Sequence, residues 1–229
     1  MRILRDVNIL KKAAILANDI ALTFPEGFWA EAGRKASSSY FNAYRNAKFD
    51  PEIGKADEKG ERGNRRRSYL NNGFRKLGGQ WPDSVEVTDV CMGLDNGSNN
   101  HVELKVGKYV VTHHHLTGGK LLPDGSFYLV QNTGLNEELE QRELIPLRTY
   151  MPEEGFSKPF NLLVLHREDP ESPSDIGSIE LVFANGRKRL ATFTIEEIVK
   201  IQAKIAEMAP EELFDFKFRH EEEKRKHGA

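Results

Sequence analysis

An α+β fold is predicted for this chain, with a basic helical N-terminal region, a central antiparallel β-sheet and C-terminal helices packed on the sheet. Three observations carry that prediction. Apolar residues recur at helical spacing through much of residues 3–77. After Gly78-Gly79 the period switches to two, with turn residues between the runs. Thr194-Ile195-Glu196-Glu197 then has the form of a capping box, which opens a final helical stretch. The chain reads either as a helical basic region, 1–80, joined to a sheet with C-terminal helices, 81–229, or as one continuous domain.

The first helix is expected over 3–22, where Ile3, Val7, Leu10 and Ala14 share a stripe and Pro25 either ends the run or begins the next element. A second is expected over 28–48. On it Tyr40, Phe41 and Tyr44 fall three and four residues apart, beside Arg34, Lys35, Arg45 and Lys48. That stripe has two readings, a core seam or a surface where rings stack on bases and cations meet phosphates. Residues 49–64 hold Pro51, Gly54, Gly60 and Gly63 among charges, the pattern of an exposed loop. Leu70, Phe74 and Leu77 place a further helix over 65–77.

Strands are expected over 84–92, 101–106, 109–115, 126–132, 144–150, 159–166, 179–184 and 187–193, and a short surface helix over 135–142. Asn185-Gly186 is a strong hairpin signal, with Leu181 opposite Leu190 if the turn has two residues. Ile195, Ile198, Val199, Ile201 and Ile205 form the apolar face of the helix that follows, and Pro210 ends it. A second segment, 211–226, alternates apolar and polar residues at Leu213–Phe218, then dissolves into charge and reads as a solvated tail.

The hairpin at 101–115 draws the most attention. A two-residue turn at Gly107-Lys108 would put Val102, Leu104, Val106, Tyr109 and Val111 on one face. His101, Glu103, Lys105, Val110, Thr112 and His114 would share the other. A turn one residue longer would bring His113 and His115 beside Glu103 instead, and the sequence leaves that register open.

Composition narrows the function classes. The chain has 229 residues, 38% hydrophobic and 30% charged, enough for a sizeable core under a wet surface. One cysteine, Cys91, excludes an internal disulfide framework and points to a reducing compartment, the cytoplasm. No run approaches the ~20 apolar residues of a membrane span, so no membrane partner is expected. The net charge of −2 conceals a balance of +7 over 1–80 and −9 over 81–229. Such asymmetry fits a polyanion bound at one end, or two halves that attract each other.

Arg65-Arg66-Arg67, with Arg75 and Lys76, is the densest positive charge. Guanidinium groups grip phosphates two bonds at a time. Arginines at a helix start also oppose the helix dipole, so an outside anion would relieve them. These five residues are therefore the candidate contacts to DNA or RNA. A protein-binding or regulatory module, its charged ends meeting a protein partner, is the non-enzymatic alternative.

Two further constellations suggest chemistry. Pro82-Asp83 precedes Glu103-Leu104-Lys105, an acid followed by acid-x-lysine on a strand. This resembles the sparse motif of the PD-(D/E)XK nucleases. The resemblance implies that Asp83 and Glu103 hold magnesium and that Lys105 polarises the attacked phosphate or the water, with Asp89 or Asp95 able to stand in for Asp83. Separately, His113 and His115 share a strand face and with His101 form a candidate zinc set, His166 being another possible ligand. Buried structural histidines are the other reading.

Overall fold

The structure, a computed structural model, describes residues 2–90, 101–123, 134–137, 139, 159–186 and 188–227. The strands expected over 126–132 and 144–150 lie outside these residues, as do Cys91, Asp95 and half of the helix expected over 135–142.

Three helices come first: α1 (Arg2–Thr23), α2 (Phe28–Lys48) and α3 (Glu58–Gly78). Strands β1 (Glu86–Val90), β2 (His101–Val106), β3 (Tyr109–His115), β4 (Phe160–Glu168), β5 (Ile176–Asn185) and β6 (Lys188–Thr194) follow, with a 3-10 turn at Gly134–Asn136. Helices α4 (Ile195–Ala206) and α5 (Pro210–His227) close the chain. The α+β class is as expected, with helices from both ends of the chain flanking the sheet.

The six strands lie side by side in chain order. Four pairings are antiparallel, but β3 and β4 run parallel, so the sheet is mixed rather than wholly antiparallel. Parallel neighbours need a long crossover, and residues 116–159 supply one.

The β2–β3 turn has two residues: Val106 opposes Tyr109 and Leu104 opposes Val111. Gly107 adopts φ +54, which glycine takes without strain. One sheet face therefore carries Val102, Leu104, Val106, Tyr109 and Val111, all buried. They pack with Phe160, Leu162, Leu181 and Phe183 against Ile20, Phe24, Phe28 and Trp29 of the N-terminal region, Phe74 and Leu77 of α3, and Ile198 of α4. This single cluster spans the residue-80 boundary. A smaller cluster, Leu116, Leu163, Leu165, Val182 and Ala184, covers the opposite face. There the buried Asn136 amide donates to the carbonyls of Asn161 and Ala184.

Three local expectations change. Helix α3 begins at Glu58, so Gly60 and Gly63 are helical and the exposed connection is shorter. Glu58 and Glu61 occupy its first turn, where the dipole favours acids. In the β5–β6 hairpin Asn185 opposes Lys188, and a register shift at Phe183/Ala184 adds another residue. Leu181 therefore meets Phe193, not Leu190. The charged tail is helical to His227 and anchored: Lys224 Nζ lies 2.8 Å from Asp19 Oδ1 on α1, and His220 Nε2 lies 3.5 Å away. Lys108 Nζ sits 2.8 Å from the other oxygen, and the Tyr109 hydroxyl also donates to it. Burial opposes the Asp19 charge, but His220, Lys108 and Lys224 more than offset it and hold the carboxyl below its usual range.

Candidate nucleic-acid interface

Most of the arginines expected to seek an external anion have found acids within the chain. Because α3 starts at Glu58, the triplet lies in mid-helix and does not oppose the dipole. Arg66 is buried. Its Nη1 is 2.7 Å from Glu168 Oε2 on β4, and its guanidinium lies 4.9 Å from the Tyr40 ring centre. Arg62 takes the other Glu168 oxygen at 2.8 Å. Arg65 pairs with Asp50 at 2.6 Å and stands 3.7 Å from Glu61. Arg75 grips Asp89 through both Nε and Nη2, which holds that carboxyl below its ordinary value. Arg67 and Lys76 are exposed. The triplet is thus mostly a device that ties α3 to the sheet and to the α2–α3 connection.

The acid-x-lysine set does not converge either. Thr88 opposes Glu103, and Asp83 lies five residues before Thr88, in the turn that follows Trp81. Lys105 Nζ is on the surface, 3.0 Å from Glu86. Glu103 Oε1 lies 3.4 Å from His101 Nε2. Among the described residues no group of three or more His, Cys, Asp or Glu side chains has metal-holding geometry.

The histidines divide by strand alternation. His101 shares a face with Glu103 and Lys105, since Lys105 opposes Val110; His113 and His115 continue the Tyr109 face. The candidate zinc set is therefore split across the sheet. His113 and His115 meet His166 instead, with ring centres 5.8 and 5.6 Å away. Asn71 Oδ1 lies 2.8 Å from His113 Nε2, and the Tyr40 hydroxyl lies 2.7 Å from His166 Nδ1. Burial drives the His113 pKa to about 3 and that of His115 to about 4, and pushes His166 well below its usual value. At neutral pH these imidazoles are uncharged, polar members of the helix–sheet contact.

Among the described residues, the outer face of α2 is exposed. The aromatic stripe splits: Tyr40 is 1% exposed and turned to the sheet, whereas Phe41 is 52% exposed. Adjacent helical residues lie about 100° apart, so one faces the core and the next faces water. Arg34, Arg45 and Lys48 are exposed on the same outward stripe, and Phe49, just past the helix end, is 72% exposed. Lys48 Nζ donates to the Tyr44 hydroxyl at 2.7 Å and lies 5.0 and 5.8 Å from the Tyr44 and Phe49 ring centres. Residues 32–49 contain four cations and no acid. Arg34 and Lys35 pair with Glu31 at 2.7 and 3.0 Å, while Arg45 makes no ion pair among the described residues.

Phe49 is absent from the sequence-based candidates. Its signal was available: three and four residues before it stand Asn46 and Arg45, so no apolar neighbour shares its turn. No family model matches the chain, and no match was found among curated proteins or solved structures.

Proposed function

We propose that the protein binds nucleic acid through the outer face of α2. The observation behind this reading is the coincidence of two exposed phenylalanines, Phe41 on α2 and Phe49 at its C-cap, with Arg45 and Lys48 in the acid-free run 32–49. Isolated exposed apolar side chains are ordinary. Rings set among cations offer what a nucleic acid needs, flat apolar area for bases and positive charge for phosphates. The contacts thus move from Arg65, Arg66 and Arg75, whose charges are spent on Asp50, Glu168 and Asp89, to the neighbouring helix. Arg67 and Lys76 are exposed on α3, the helix beside α2.

Fluorescence anisotropy of a labelled oligonucleotide tests the reading across a salt series. With about three phosphates met, log affinity should fall against log salt with a slope of roughly −2. Arg45→Ala and Lys48→Ala should each weaken binding to every sequence and flatten the slope by up to about 1. Binding that ignores both salt and these substitutions would end the proposal.

A further inference from the structure

Resting on the reading of α2 as the nucleic-acid face, we infer that its ligand is single-stranded, with unpaired bases seated on Phe41 and Phe49. In a duplex each base face is covered by its neighbours, and only edges and phosphates are presented to a protein surface. A benzyl ring has no donor or acceptor with which to read an edge. It gains most from a bare base face, which an unpaired strand supplies.

The spacing of the rings points the same way. Phe41 lies seven residues before Lys48, about 10 Å along the helix axis at 1.5 Å per residue, and Phe49 follows as the C-cap. Stacked bases within one strand are about 3.4 Å apart. Two consecutive stacked bases therefore cannot reach both rings, and a strand that occupies both must open its stack between them. A single strand does this at little cost, whereas a duplex must first lose its pairing.

The cations fall between the rings. Arg45 stands one turn beyond Phe41, and Lys48 Nζ lies 5.0 and 5.8 Å from the Tyr44 and Phe49 ring centres, held by the Tyr44 hydroxyl. The phosphates linking two splayed bases would pass over these side chains. Tyr44, half-buried, braces Lys48. Asn46 Nδ2 donates to the Tyr69 hydroxyl on α3 at 2.7 Å, which fixes the platform to the neighbouring helix.

The test compares labelled twelve-nucleotide single strands, one of DNA and one of RNA, with a twelve-base-pair duplex at low salt. Wild type, Phe41→Ala/Phe49→Ala, Phe41→Tyr/Phe49→Tyr and Arg45→Glu/Lys48→Glu are measured. Both phenylalanines are exposed, so unchanged melting curves establish that the variants fold. The expected result is a single strand bound at least tenfold more tightly than the duplex, in one or both sugar types. Removing both rings should weaken single-strand binding about a hundredfold, at roughly tenfold per stacked base, leave duplex binding unchanged, and be reversed by the tyrosine pair. Equal or tighter duplex binding, or single-strand binding that survives loss of both rings, overturns the inference. In that case weaker binding by Arg45→Glu/Lys48→Glu would still uphold α2 as the interface. No binding to any of the three ligands overturns both.

Discussion

Lowering the pH from 7 to 5 should weaken the fold through its buried histidines. His113 is 8% exposed and His166 is 1% exposed, and burial holds both far below the usual imidazole value, His113 at about 3. In the unfolded chain each titrates near 6.5. The unfolded state therefore takes up protons first as the pH drops. Stability is full above about pH 6.5 and falls steadily until the folded-state values are reached. Each group costs about 1.4 kcal/mol per pH unit inside that window, so at pH 5 each removes about 2 kcal/mol, and the pair about 4. His114 and His115, both held at about 4 and partly open to solvent, act in the same direction with a smaller share. Carboxylates do not confuse the reading. Asp19, the buried acid with the depressed value, gives stability above about pH 4 and loses it only below. A total of this order is a large part of the 5–15 kcal/mol typical of a domain. Urea denaturation followed by the fluorescence of buried Trp29 should show the midpoint dropping between pH 7 and 5, with about two or more protons bound on unfolding. A midpoint that does not move, or uptake below one proton, would mean that these imidazoles are already charged or solvated in the native state.

Other substitutions probe the framework that presents α2. Glu168→Gln removes the carboxylate shared by Arg62 and Arg66, leaves a buried guanidinium uncompensated, and should cost about 3–5 kcal/mol in urea unfolding; a loss under about 1 would show that Arg66 finds another anion. Gly107→Ala places a Cβ 2.9 Å from Thr23 Cγ2 at φ +54. A destabilisation of about 1–2 kcal/mol is expected, partly relieved by Thr23→Ser, and an additive double mutant would refute that contact as its source. Thr194→Ala removes the capping box in which Glu197 N–H donates to Thr194 Oγ1 and Thr194 N–H to Glu197 Oε2. Its melting midpoint should fall by an amount equivalent to about 1 kcal/mol.

Local patterns were legible in the sequence, and distant pairings were not. The strands at 101–106 and 109–115 follow from strict alternation around Gly107, and the start of α4 from Thr194 and Glu197, because these signals reside in a few adjacent residues. The parallel β3–β4 pair depends on a crossover through residues 116–159, whose local pattern does not name its destination. Arg66 and Glu168 are 102 residues apart, so a charge count could not separate a clamped arginine from a phosphate ligand. The same holds for Lys224 and Asp19. On α2 the aromatic stripe was visible, but which ring faces outward depends on where α3 and the sheet lie. Gly60 and Gly63 concealed the true start of α3, since packing and the Arg62–Glu168 and Arg66–Glu168 pairs outweigh their low helix propensity.

Ultraviolet crosslinking of the bound single strand, with the modified peptides sequenced by mass spectrometry, would look at the surface itself. Adducts on Phe41, Tyr44 or Phe49 are the expected result. Adducts confined to other elements, with α2 unmodified, would contradict the placement of nucleic acid on this helix.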